Sequence, residues 1–499
     1  MAILGFSAGF HDAAVSVIDH QGNILFAGHS ERYTKRKHDL HITDNIVADA
    51  LTYCGGKINE VVYYENPYLK KTRQLYSGQF AEALNEPFLI RTYIEQHSPL
   101  LYSCVENGCP VTYVSHHKAH AAAGFQTSPF DKATVVVIDA IGEWDTVSIW
   151  GAEYRHGYAK YKKLWSQRYP HSIGLLYSAF TKRLGLRPMD EEYILMGMAG
   201  WGQPVWRDDI HHRFVHDDYL TLKENLHCGF EDDYMSSTPD YNIAASIQKE
   251  AELMIGTVMA KAKKFNWSDN LVYMGGVALN CLANRNLGKH FKNIWIMPNP
   301  GDAGSSLGAA ALKYGGKLHW ESPYLGTNIE GEYPVTQLLD ELREKKIVGV
   351  ANGRAEFGPR ALGNRSLLAD PRGPEIKDRV NDIKRRQKFR PFAPVILEEF
   401  VDQYFDMPAN LPLSPYMQVV APCKFPEQFP AIIHVDGTSR VQTVPKNSKS
   451  GIRELLEKWY LLTGCPMLLN TSLNIRGEPM VNDRADADRF ENEYGVKVF

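Results

Sequence analysis

Residues 1–30 read M-A-I-L-G-F-S-A-G-F-H-D-A-A-V-S-V-I-D-H-Q-G-N-I-L-F-A-G-H-S. Residues 2–7 carry the apolar run of a buried strand and residues 13–18 a second. D-H-Q-G-N at 19–23 is turn chemistry leading into I-L-F-A-G-H-S. A chain that opens strand, turn, strand opens a hairpin and not a βαβ unit. A polar loop, F-H-D at 10–12, lies between the first two strands. The pattern returns at V-I-D-A-I-G-E-W-D-T-V-S-I, 137–149, where the strand T-V-V-V-I-D (134–139) is answered by V-S-I-W (147–150). The repeat points to an internal duplication, read from two short pieces.

Working outward, a helix is expected near 43–53 and strands at 61–64 and 111–114. An Ala-rich helix follows over 116–125, and a long amphipathic one over 242–264. Strand, glycine turn, helix is expected twice: L-V-Y-M (271–274) into G-G-V-A-L-N, and I-W-I-M (294–297) into P-N-P-G-D-A-G-S-S-L-G-A-A-A-L. Gly315–Gly316 and the Pro/Gly-bearing stretch 322–334 read as a linker, with a domain boundary near 320–335. A helix over Val335–Lys345 and a strand over 347–351 then precede a run rich in Arg, Lys and Pro.

Composition bounds the function. The 499 residues are 44% hydrophobic and 23% charged, which excludes wholesale disorder. Lys+Arg total 55 against 58 Asp+Glu, so the formal charge is -3 and the chain is no polycation. Seven cysteines, an odd number without a C-x-x-C, suit a reducing compartment, and Cys104 and Cys109 read as packed thiols. The N-terminus lacks signal-peptide character and no apolar run is long enough to span a membrane, so a soluble cytoplasmic protein is expected.

Four groups of residues carry chemistry. In H-H-K-A-H, 116–120, His116 and His120 lie one helical turn apart and can face one point; Asp139 at a strand end and Asp302 in a glycine turn complete a donor set. Two imidazoles and two carboxylates suit Fe(II), Mn or Zn better than Mg or Ca. An isolated H-x-x-x-H is otherwise a pair of surface histidines. His117 points elsewhere. Gly275 and Gly276 let a backbone approach a ligand at a helix start, and Asn280 either binds that ligand or caps the helix. His11, in the hairpin loop, can deprotonate a hydroxyl or position an acyl group, and Lys37 can meet a negative group; their alternatives are a turn residue and a solvated charge. Finally, segments 354–366, 383–394, 434–444 and 469–479 bring cations with small or Pro/Gly neighbours, suiting a polyphosphate pocket. A nucleic-acid face would need interleaved aromatics, which they lack. Residues 154–165 do mix cations with aromatics, and an exposed hairpin explains that stretch equally well.

The blocks E-F-G-P-R-A-L-G-N-R-S, F-R-P-F-A-P, H-V-D-G-T-S-R-V-Q-T-V and L-N-T-S-L-N-I-R-G-E-P resemble the O-carbamoyltransferase family that includes the nodulation, cephamycin, novobiocin-type and tobramycin carbamoyltransferases. The resemblance spans nearly the whole chain. It implies an α/β architecture: a Kae1-like domain of the actin/Hsp70/acetate-kinase (ASKHA) fold over 1–325, then a YrdC-like α+β domain over 335–499. The second would make carbamoyl-adenylate from ATP and carbamoyl phosphate, and the first would pass the carbamoyl group to an acceptor hydroxyl. By motif, Arg360, Lys384, Arg390, Arg440, Asn470, Ser472 and Asn474 fall on the ATP/carbamoyl-phosphate site. His116, His120, Asp139 and Asp302 fall on a site for Fe(II) or another divalent metal; Gly275, Gly276 and Asn280 on the adenylate pocket; His11 and Lys37 beside the transferring group. Mg is expected with ATP. The acceptor is a small molecule (sugar, antibiotic or macrocycle) or a hydroxymethylated pyrimidine such as 5-hydroxymethylcytosine in nucleotide or DNA, and a homodimer is compatible. The family's E-Y-K-x-M-G reads E-Y-I-L-M-G here, with Ile194 in place of Lys. A tRNA-threonylcarbamoylation factor and a non-catalytic nucleotide switch are the other readings.

Overall fold

In the computed structural model, which describes residues 2–85, 89–231 and 233–499, the opening hairpin forms. β1 (Ala2–Ser7) pairs antiparallel with β2 (Ala14–Asp19), and β2 with β3 (Ile24–His29). β4 (Glu60–Tyr63) and β5 (Val111–Tyr113) then join in parallel, giving the order β3-β2-β1-β4-β5. A second sheet repeats this. β6 (Lys132–Gly142), β7 (Asp145–Arg155) and β8 (Tyr158–Arg168) meander, and β9 (Asn270–Met274) and β10 (Asn293–Trp295) add in parallel, in the order β8-β7-β6-β9-β10. Order and strand sense match throughout, so the duplication extends to whole sheets. This is the doubled sheet of the ASKHA fold, as expected.

The last strand of each sheet feeds a helix. β5 leads into α1 (His116–Thr127). α2 (Ile173–Arg183), α3 (Glu192–Met198) and α4 (Asp240–Lys264) pack around β6 and one another, and β10 leads into α5 (Asp302–Tyr314). α5 rests on β1 and β2, α1 rests on β6 and β9, and the two helices pack together between the sheets. Their sequences explain how. Both are rich in Ala and Gly, which carry little side chain to hold backbones apart. A Cβ on Gly308 would lie 1.9 Å from the Ala119 carbonyl oxygen, and one on Gly5 of β1 would lie 2.0 Å from that of Ser306.

The C-terminal part has its own core. β11 (Tyr324–Ile329) pairs with β13 (Gly353–Glu356). β12 (Ile347–Ala351), β14 (Arg365–Ala369), β15 (Ala393–Leu397), β18 (Gln442–Val444) and β19 (Met467–Ser472) form a mostly antiparallel sheet in the order β12-β14-β19-β15-β18. β16 (Val420–Pro422) and β17 (Thr438–Arg440) make a small ribbon. α6 (Val335–Lys345) and α7 (Gly451–Thr463) cover the large sheet, an α+β arrangement.

Two expectations change, and one open alternative is decided in favour of an exposed hairpin. The stretch 322–334 is not simply a linker: it contains β11, whose partner lies beyond the helix that follows, and such non-local pairing leaves no local signature. G-G-V-A-L-N is followed by only a four-residue helix, Cys281–Asn284. Residues 154–165 form the β7–β8 turn and an edge strand with Lys160 and Lys162 exposed, a placement that discourages strand addition.

The helix contact is testable. Gly308→Leu must push α5 off the Ala119 backbone, and a loss of about 3 kcal/mol is expected. It would appear as a lower urea midpoint; an unchanged midpoint would contradict the close approach.

Candidate active site

The α1–α5 contact decides where the histidines and carboxylates meet. His116 and His120 share one face at the start of α1, and Asp302 is the first residue of α5. Asp139 lies on β6 just past its pairing with β9, where the ladder to β7 is interrupted. His116 Nε2 is 3.1 Å from Asp139 Oδ2 and 3.3 Å from Asp302 Oδ1. His120 Nε2 is 3.1 Å from Asp302 Oδ1, 3.3 Å from Asp139 Oδ2 and 3.1 Å from His116 Nε2. All four side chains are buried.

This set fits a divalent cation. Ligand atoms about 2.1 Å from one ion lie about 3.0–3.4 Å from each other, which is the spacing seen. The far ring nitrogens are already engaged: His120 Nδ1 faces Pro300 O at 3.1 Å and His116 Nδ1 faces Glu65 Oε2 at 3.4 Å. That aims both Nε2 atoms inward. Asp139 Oδ1 accepts from the Ala140 and Gly276 amides at 2.9 and 3.3 Å, so its other oxygen is aimed too. Burial alone would lower both imidazoles, and the two carboxylates reverse that and raise them. The cluster therefore favours two positive charges at its centre, and one divalent ion supplies them without placing two imidazoliums nitrogen to nitrogen.

A chamber of about 390 Å³ has Asp139, Asp302 and His11 in its N-terminal wall and Arg360, Arg386, Arg390, Arg440 and Lys384 in its C-terminal wall. Burial and mutual repulsion hold these cations below their ordinary values. Burial first, then Arg440, brings Arg360 down to about 9. Burial and then Arg390 depress Arg386; burial and then Arg386 depress Lys384. Burial also lowers Arg390 and Arg440. Among the described residues, no carboxylate is the leading influence on Arg360, Arg386, Arg390 or Arg440. Asn470 donates to Ala361 O and Gln442 Oε1, leaving its buried Oδ1 without a partner on the same chamber. A second cavity of about 300 Å³ also reaches His116 and Asp302, between Tyr64, Leu175 and Met189.

Some expected residues sit differently. Gly275 is not on the chamber wall; with φ at 93° and a Cβ position 2.1 Å from Ile138 O, it serves a tight turn. Asn280 lines the chamber, but its Oδ1 caps Ala283 N and its amide is exchanged with Gln248. The Lys384 ammonium donates to Asn474 O at 2.8 Å and to Ser472 O, so it also braces the β19 loop, where Ser472 Oγ bonds Asn474 Oδ1 at 2.6 Å. Lys37 is engaged by Asp190 at 2.8 Å. Ile194 is buried, and its neighbour Tyr193 faces the chamber beneath Arg390. His117 bonds Ser148 Oγ instead of the cluster. Sequence reading gave no role to Asp12, His38, Asp190 and Arg386, although Asp12 lies in the F-H-D loop, His38 follows Lys37 and Arg386 lies inside the 383–394 block.

Crowding cations without counterions costs stability. These bases lose affinity for their protons on folding, so the cost is present at neutral pH and eases as pH climbs through the lowered values. An anion that pairs them must stabilise the fold. Pyrophosphate at a hundred times its Kd is expected to add about 2.7 kcal/mol, read as a higher Tm, and Arg440→Leu to remove most of the shift. A wild-type Tm indifferent to pyrophosphate would contradict the anion pocket.

Known proteins match both parts of the chain. The family profile "Carbamoyltransferase N-terminus" matches residues 2–311 and "Carbamoyltransferase C-terminus" matches 339–499. "Uncharacterized protein sll1178" of Synechocystis sp. is 34% identical, over 98% of this chain and 93% of its own. "Nodulation protein NolNO" of Sinorhizobium fredii is 30% identical, over 96% of this chain and 76% of its own. "Nodulation protein NolO" of Bradyrhizobium diazoefficiens is 31% identical, over 75% of each chain. Among the described residues no helix is long and apolar enough to cross a membrane. Matched in both halves and along almost its entire length, the chain belongs to the carbamoyltransferase family and is a carbamoyltransferase.

Proposed function

We propose that this carbamoyltransferase is ATP-dependent and works on hydroxyl acceptors through carbamoyl-adenylate. The observation that carries the reading is one chamber whose walls hold both the crowded arginines and Asp139 and Asp302, the carboxylates of the His/Asp cluster. Adenylation and transfer can then share a space that the labile mixed anhydride need not leave.

At the C-terminal wall, water cleaves carbamoyl phosphate to carbamate and phosphate. A carbamate oxygen attacks the α-phosphorus of ATP, and the bond to the bridging oxygen of the β-phosphate breaks, releasing pyrophosphate. Arg360, Arg386, Arg390 and Arg440 offset the phosphate charge, and the open acceptor on Asn470 takes an N–H or O–H. The β19 loop with Ser472 and Asn474, braced by Lys384, shapes the carbamoyl end, and Mg accompanies ATP. Toward the other wall, the Gly276 backbone leaves room for the adenylate. The acceptor oxygen attacks the carbonyl carbon, its proton passes to His11 Nε2, and the bond from carbon to the AMP oxygen breaks. Lys37 adds positive charge beside the transferring group. His116, His120, Asp139 and Asp302 would hold Fe(II) or another divalent ion, which when bound supplies Lewis-acid relief of the developing oxyanion. The cavity of about 300 Å³ beside His116 and Asp302 is assigned to the acceptor, a small hydroxylated molecule or a hydroxymethylated pyrimidine.

Two variants divide the reaction. Arg440→Ala should abolish carbamate-dependent ATP–pyrophosphate exchange; normal exchange would count against the assignment. His116→Ala should keep exchange but lose bound metal and stop transfer. Metal analysis and mass spectrometry of carbamoylated acceptor read both, and wild-type metal content with unchanged product would remove the metal role.

A further inference from the structure

We infer that His38 is a positioning residue for the transfer step: clamped between Asp12 and Asp190, it fixes the carboxylate that orients the His11 ring. The inference rests on the reading of His11 as the acceptor of the hydroxyl proton.

The geometry is a chain of alternating imidazoles and carboxylates. His11 Nδ1 faces Asp12 Oδ2 at 2.9 Å, and His11 Nε2 is 4.0 Å from Asp302 Oδ2. Asp12 Oδ1 faces His38 Nδ1 at 2.7 Å, and His38 Nε2 faces Asp190 Oδ1 at 2.8 Å. Asp190 also receives Lys37 Nζ at 2.8 Å and the exposed Arg187 at 2.7 Å. Ionised carboxylates only accept, so both nitrogens of His38 donate and its ring is an imidazolium. Burial opposes that charge, but the bonds to Asp12 and Asp190 outweigh it and lift the ring to about 10. With Asp12 held from one side by this cation, its other oxygen takes the Nδ1 proton of His11. His11 Nε2 is then left facing the chamber.

The backbone supports the same conclusion. Asp12 and His38 both sit in the left-handed region, with φ of 53° and 55°. Such conformations cost non-glycine residues about 1–2 kcal/mol each, and they persist where surrounding bonds demand them. Here the demand is mutual: each places the other's side chain, and the His38 amide is further held by Glu31 Oε2 at 2.9 Å. A neutral amide in place of the ring donates from one nitrogen only and cannot bridge two carboxylates in this way. A clasp that merely tied the 35–39 loop to Asp190 would need neither the charge nor the contact between Asp12 and His11.

The test uses water as the acceptor hydroxyl, so it needs no knowledge of the natural one. It reads AMP formation from ATP that depends on carbamoyl phosphate, with ATP–pyrophosphate exchange as the control for folding and adenylation. H38G is expected to slow AMP formation about 10- to 100-fold at normal exchange, and added imidazole to restore most of the rate. Wild-type AMP formation, or a loss that imidazole does not rescue, overturns the inference. If H38G does not fold, H38Q decides: the same loss at normal exchange supports the inference, and a wild-type rate overturns it. H11A is measured beside them. If H11A is slow while H38G is normal, only this inference falls; if H11A is itself normal, the reading of His11 falls and takes the inference with it.

Discussion

Everything at the site depends on the distance between two helices. α1 and α5 cross between the duplicated sheets with a glycine against a backbone carbonyl, and their N-termini deliver His116, His120 and Asp302 to one point. A larger residue at 308 would press on the Ala119 carbonyl and so on the helix that carries both histidines. Small residues in the middle of these helices thus bear on chemistry at their ends. Gly5 does the same on the opposite face, letting α5 settle on β1, whose loop carries His11.

The charges are arranged in opposition. One wall gathers carboxylates and imidazoles that favour cations; the other gathers arginines that favour anions. The His/Asp group could hold a metal ion, and the crowded arginines suit an anion. Folding tolerates this because three apolar cores surround the chamber and the C-terminal sheet brings a fourth of its own. The adenylate proposed here would bridge the walls, with its phosphate and carbonyl oxygens offered to opposite sets.

Between the walls runs the line from His11 through Asp12 and His38 to Asp190. It joins the first hairpin loop, the loop after β3 and the turn before α3. These are separate stretches of chain, and what unites them is charge alternation at hydrogen-bond distance. The strain at Asp12 and His38 is the local cost of that alignment.

How much of this was legible in the residues varies with distance along the chain. The two hairpins, the small-residue helices and α6 follow from local pattern, because alternation, helical period and turn chemistry act over a few neighbours. The His/Asp set and most of the cationic set were also visible, since their residue types are costly to bury without a purpose. β11 was not, because its partner lies beyond a helix. Gly275 looked like a ligand contact and serves a tight turn, while Asn280, read as ligand contact or cap, does cap a helix and also lines the chamber. Asp12 lay beside His11 and His38 beside Lys37 in loops that drew notice, but an ordinary charged loop and a clamp have the same letters, so neither they nor Asp190 could be given a role. The amino-acid order by itself determined the elements and the kinds of chemistry available. Which side chains meet, at which distance and with which charge, was decided only when the duplicated sheets closed on α1 and α5, since those contacts join residues far apart in sequence through packing that no local window contains.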